Sequence, residues 1–107
     1  MSIKEKNVFE SLRQTAKDVL PEGGHVWLYG SRARGEAHNQ SDWDILLLFD
    51  KQKVEQSDYD NVVYPFTELG WKLGEMIIPI VYTTKEWQEA SLSEFYDNVE
   101  RDKIVLI

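Results

Sequence analysis

The chain has no cysteine, only three prolines and fewer basic than acidic residues. Without cysteine there can be no disulfide, no thiolate metal site and no thiol nucleophile. Twelve Lys and Arg against nineteen Asp and Glu leave a net charge of −7. That argues against unaided binding to a nucleic-acid backbone, which needs a surplus of cations to neutralise phosphates. It leaves a nucleotide open, because a divalent cation reverses the sign of the field within one small site. No stretch approaches the roughly 18–20 apolar residues of a membrane span. The opening residues Met1-Ser2-Ile3-Lys4-Glu5-Lys6 are charged and carry no apolar leader core. These absences make the cytoplasm the expected compartment, with no membrane partner.

Aliphatic and aromatic residues are plentiful enough for one folded domain over residues 1–107. Val8, Leu12, Ala16 and Val19 fall at helical spacing, which predicts a helix over 3–20, ended by Pro21-Glu22-Gly23-Gly24. His25–Tyr29 is β-prone and stops at Gly30. After a small polar segment, residues 42–49 read as a strand whose later half is apolar on both faces, suited to a sheet covered on both sides. Tyr59, Val62, Phe66, Leu69 and Leu73 form a second helical stripe, with Pro65 demanding a kink or a late start. Asp58, Asp60 and Glu68 are expected on the wet face of that region. Ile77–Tyr82 is a third strand, and Pro79 marks it as an edge or a bulge. Thr84 is the expected cap of one or two further helices leading to Val99. The apolar tail Ile104–Ile107 needs a partner, in this core or on another chain, so self-association stays open. The expected fold is α+β: a small mixed β-sheet of three or more strands flanked by helices.

The segment from Leu28 to Asp44 carries the chemistry. Gly30, at a strand end, lets the backbone approach a ligand closely. Ser31 opens the next turn, where its hydroxyl and free N–H groups suit a phosphate. Asp42 and Asp44 are two apart on a strand, so both carboxylates leave one face while Trp43 leaves the other. Two carboxylates on one face repel unless a cation lies between them, and hard oxygen ligands suit Mg2+. A phosphate cradle beside a divalent-cation site is what phosphoryl or nucleotidyl transfer requires. Arg32 and Arg34 are either solvated charges or phosphate contacts, and Arg34 is alternatively an internal brace. His38 is expected to face solvent. Trp27, Trp43, Trp71 and Trp87, with Phe66 and Phe95, are expected in the core.

Gly30-Ser31, ten residues, then Asp42-x-Asp44 on a strand resembles the signature of the DNA polymerase β-like nucleotidyltransferase superfamily. The Gly-Ser-Arg-Ala-Arg-Gly form is similar to its minimal nucleotidyltransferase branch. The resemblance implies that Gly30 and Ser31 hold the triphosphate of ATP or another nucleoside triphosphate, and that Asp42 and Asp44 coordinate Mg2+ and serve catalysis. It implies transfer of a nucleoside monophosphate to an acceptor hydroxyl. In so short a chain a helical partner is expected to bring the acceptor: a HEPN-type protein, as for antitoxin-type members, or a separate substrate-binding protein. The family often has a third carboxylate on the next strand, and here the corresponding position falls at Pro79. Glu75 shares its strand parity but lies about 13 Å further back along a strand. Either the register is offset and Glu75 serves as the third catalytic carboxylate, or the base is missing. In the second case the domain is a non-catalytic nucleotide- or partner-binding module.

Overall fold

Ser2 opens the first helix in the computed structural model, which describes residues 1–107. The Ser2 hydroxyl accepts from the Glu5 N–H while the Glu5 carboxylate accepts from the Ser2 N–H, satisfying two donors at the start of α1, Ile3–Val19. Val8, Leu12 and Ala16 are its buried face. Four strands follow from the apolar runs: β1 His25–Tyr29, β2 Trp43–Phe49, β3 Ile77–Thr83 and β4 Ile104–Val105. They form one sheet in the order β3-β2-β1-β4. β1 is antiparallel to both β2 and β4, whereas β2 and β3 are parallel. The fold is therefore α+β with a mixed sheet, as the sequence implied.

A parallel pair needs a long crossover. Here it is built from α3, Gln56–Asp58, a π turn at Tyr59–Val63 and α4, Tyr64–Leu73. The expected disruption at Pro65 takes the form of that π turn. Proline has no N–H to return to the preceding turn and its ring crowds the carbonyl there. The helix widens just before it, and the Tyr64 N–H reaches back five residues to the Tyr59 carbonyl. Two further helices, α5 Thr84–Glu89 and α6 Glu94–Asp102, lead into β4.

The sheet is covered on both faces, which explains why β2 reads apolar throughout. On one side Val26, Leu28, Ile45, Leu47 and Phe49 pack with Leu12 of α1 and Phe66 of α4. On the other, Trp27, Tyr29, Leu46 and Leu48 pack with Trp87 of α5 and Val99 of α6. Pro79 sits on the edge strand, where its missing N–H costs no ladder bond. The tail is used at home: β4 pairs with β1, and Leu106 is buried in the first core.

Four local expectations change. Asp42 lies just before β2 rather than within it. Thr83, not Thr84, caps α5, in a reciprocal pair with Glu86. Trp71 is 68% exposed, standing against Tyr64 on the outside of α4. Asp58 is buried, because it accepts from the Glu55 N–H at 2.8 Å and from Lys51 at 2.9 Å. No helix is long and apolar enough to cross a membrane.

Candidate functional site

β1 ends at Tyr29, which pairs with Asp44 across the antiparallel ladder. The chain then turns through Gly30 at φ 75° and ψ −160°, a region open essentially to glycine alone. A Cβ at Gly30 would stand 2.5 Å from Oδ2 of Asp44. Glycine is therefore required twice: for the backbone conformation, and for the room the Asp44 carboxylate occupies over the turn. The following helix, α2, covers Ser31–Arg34. The Ala33 and Arg34 N–H groups return to the Gly30 carbonyl at 3.0 and 3.1 Å, and Gly35 closes the helix in the left-handed region. The N–H groups of its first residues have no acceptor within so short a helix. The turn thus brings helix-start donors beside a carboxylate from the neighbouring strand.

Asp42 is exposed and Asp44 half-buried. Burial holds the Asp44 carboxyl above the ordinary carboxylate value; the nearby charge of Asp42 pushes the same way, and Arg34 pulls against them. A carboxylate whose ionised form is disfavoured by a second carboxylate nearby suits a cation between the two. No set of three acidic or histidine side chains is gathered to hold a metal by itself. A pair is the donor set Mg2+ accepts when phosphate oxygens and water complete its shell. The space over Gly30 that a Cβ would fill is taken by the Asp44 carboxylate. Tyr29 shares the Asp44 face. Burial first, then the charge of Asp44, raises its phenol far above the usual range, so it stays neutral.

Arg32 and Glu75 are engaged inside the fold, whereas the charge of Arg34 reaches the Asp44 carboxyl. Arg32 is only 5% exposed. Its Nε and Nη2 donate to the Ser41 carbonyl at 3.3 and 2.9 Å, and its Nη1 meets Glu5 Oε2 at 3.3 Å. Its plane lies over the Trp43 ring, 4.6 Å from the centroid. The phosphate contact expected of Arg32 is corrected to an internal brace, since its donors point into the fold. Arg34 is more open, and pairs with Glu36 at 3.0 Å and Asp102 at 3.1 Å. It is the cation whose charge reaches Asp44.

Glu75 is also drawn inward. Its side chain, 6% exposed, lies 3.5 Å from Lys4 and 4.0 Å from Arg32. The β2–β3 register explains why it does not join the aspartates. Asp44 pairs with Ile78, whereas Pro79 pairs with Ile45 on the opposite face. The third position facing Asp44 is therefore Ile78, with Ile80 next along the same face, and neither is acidic. The sequence reading placed this position one residue too far, at Pro79. His38 is exposed, as expected, and its Nδ1 accepts from the Gln40 N–H.

The chain matches the family model for the polymerase beta nucleotidyltransferases over residues 10–86, a span running from the middle of α1 to the first turn of α5. Among solved structures it is similar to a toxin–antitoxin crystallised with AMP-PNP, at 18% identity and TM-score 0.63, over 92% of this chain and 72% of that one. A variant of the toxin–antitoxin MntA-HpeT aligns over 92% of this chain and 71% of that one, at 15% identity and TM-score 0.60. A candidate nucleotidyltransferase from Sulfolobus solfataricus aligns over 95% and 81%, at 21% identity and TM-score 0.57. No curated protein matches the chain. The structural likenesses support the fold, and the family match covers the turn at Gly30-Ser31 together with both aspartates. On these grounds the chain belongs to the polymerase beta nucleotidyltransferase family.

Proposed function

We propose that this domain binds a nucleoside triphosphate, ATP in particular, through Gly30, Ser31 and the carboxylates of Asp42 and Asp44. It then transfers the nucleoside monophosphate to a hydroxyl on a partner protein. The observation that carries this reading is the seating of Asp44 Oδ2 in the space that a Cβ of Gly30 would take, which puts a candidate cation ligand beside the helix-start turn. Asp42 and Asp44 would hold Mg2+. When bound, that ion neutralises triphosphate charge and aligns the phosphates for in-line displacement. In the reaction the acceptor oxygen forms a bond to the α-phosphorus, the bond from that phosphorus to the β-bridging oxygen breaks, and pyrophosphate leaves. The Ser31 hydroxyl and the N–H groups of Ser31 and Arg32 bind phosphate oxygens, and Arg34 supplies a positive charge that reaches Asp44. The acceptor's proton passes to a carboxylate of the site or to a group of the partner.

AMP-PNP in one structural neighbour supports ATP as the donor, and the pairing of toxin with antitoxin in that neighbour supports an acceptor on a protein partner. The partner proposed is a helical HEPN-type protein, making this chain an antitoxin-type adenylyltransferase. One observation favours a second reading: the Asp44 face of β3 presents Ile78 and Ile80 in place of a carboxylate. On that reading the domain binds Mg2+ and nucleotide without transferring anything. Incubation of the protein and its co-purifying partner with labelled ATP and Mg2+ separates the two. Label on the partner that disappears in Asp42→Asn/Asp44→Asn supports transfer. Nucleotide binding without label on any protein supports the second reading, and absence of binding removes both.

A further inference from the structure

Asp42 is the less supported of the two aspartates. It precedes β2 and is exposed, so the ladder that fixes Asp44 does not reach it. A cation ligand on an unconstrained loop would have to be ordered at each binding event. Both of its neighbours are nevertheless held by one side chain. Arg32 grips the Ser41 carbonyl through two N–H groups, at 2.9 and 3.3 Å, immediately before Asp42. The same guanidinium lies over the Trp43 ring immediately after it. The Trp43 N–H is tied separately to the Met76 carbonyl at 2.8 Å.

We infer that Arg32 is a positioning residue for metal binding: it fixes Asp42 by clamping the residues on both sides of it, and ties that loop to the phosphate turn that begins at Ser31. The inference rests on the proposed Mg2+–nucleotide site. Arginine suits the task because a flat guanidinium can fork to one oxygen and stack on a ring at once, which an ammonium cannot do. A cation this buried needs counter-charge. Glu5 supplies it from the first turn of α1, at 3.3 Å. Glu75 adds a second negative charge at 4.0 Å from the loop before β3, and is itself held by Lys4. Glu5 is committed in advance: the Ser2 N–H and hydroxyl, and then Arg32, keep its carboxyl below the ordinary range. The helix cap, the clamp and Asp42 thus form one connected set.

The clamp makes a demand on metal that a general structural role does not. Arg32→Lys keeps the charge but loses the fork and the stack. With a fluorescent ATP analogue at fixed concentration, the Mg2+ needed for half-maximal binding should rise about tenfold in this variant, the scale of losing an outer-shell support of a metal ligand. At saturating Mg2+ the nucleotide affinity should return to that of wild type. Glu75→Gln, which leaves Arg32 in place but loosens its anchoring, should shift the Mg2+ requirement in the same direction by less. It decides the matter should Arg32→Lys fail to fold. An unchanged Mg2+ requirement in the folded variants overturns the inference. So does a deficit that persists at saturating Mg2+, which would mean that Arg32 touches the nucleotide or only supports the fold. A wild-type protein whose nucleotide binding ignores Mg2+ would remove the site reading and the clamp together.

Discussion

Replacing Gly30 with alanine separates backbone strain from site geometry, because Gly35 provides a matched control. Both glycines have φ of 75°. Gly35, with ψ of 21°, is in the left-handed region, and an added Cβ there meets nothing within 4 Å. Gly35→Ala should therefore cost only the left-handed penalty, about 1 kcal/mol, and leave nucleotide binding intact. Gly30 has ψ of −160°, where a side chain costs on the order of 1–3 kcal/mol. Its Cβ would also stand 2.5 Å from Asp44 Oδ2, so the carboxylate must move or the turn must open. Gly30→Ala is thus expected to lose about 1–3 kcal/mol of stability in urea titrations and, while still folded, to lose Mg2+-dependent ATP binding by titration calorimetry. If Gly30→Ala binds Mg-ATP as Gly35→Ala does, the turn and Asp44 do not form one site.

Asp44 gives a stability signature of unusual sign. Its folded carboxyl titrates above the ordinary aspartate value of 3.8, so the native state holds its proton more tightly than the unfolded chain. Its ionisation then lowers stability as pH rises through that raised value. Without Mg2+, Asp44→Asn should melt above wild type at neutral pH, with the gap closing as pH falls below the ordinary value; a lower melting point at neutral pH would refute this. Ile78→Asp should place a third carboxylate one strand away from Asp44, about 5 Å across the sheet, and tighten Mg2+ binding. Pro79→Asp, on the other face, should not, and equal effects would contradict the register. Trp87 is buried against Trp27, Tyr82, Phe95 and Tyr96 and donates to Glu100 at 3.0 Å. Trp87→Ala should cost about 3–5 kcal/mol, measured by chemical unfolding, and a loss below 1 kcal/mol, roughly the level of an exposed site, would mean that the second core is not formed.

The parts of the fold that depend on neighbouring residues were legible in the sequence. The apolar run of β2, the stripe on α1, the break at Pro21–Gly24 and the disturbance at Pro65 each follow from a few adjacent side chains. The turn at Gly30-Ser31 and the place of Asp44 on β2 were legible for the same reason, since a strand end at a glycine and an apolar run are local patterns. What required the fold was anything set by partners far along the chain. The face presented by β3 depends on a pairing between Asp44 and Ile78 that no local pattern encodes, so spacing alone points to Pro79 as the third position. Arg32 resembled a phosphate ligand because its partners Glu5 and Glu75 are distant in sequence. Glu75 was drawn toward catalysis by parity alone, without sight of the arginine that holds it. Trp71 looked like core because aromatic residues usually are, and only the packing of α4 shows that it faces outward.

The most direct test is titration calorimetry of ATP into the protein with Mg2+ and with EDTA, for wild type and for Asp42→Asn/Asp44→Asn. The expected result is that wild type binds ATP with Mg2+ and loses most of that affinity in EDTA, while the double variant stays folded and gives the weak EDTA value in both buffers. Wild-type binding that is indifferent to Mg2+, or a double variant that binds Mg-ATP undiminished, would contradict the assignment of Gly30-Ser31, Asp42 and Asp44 as the site.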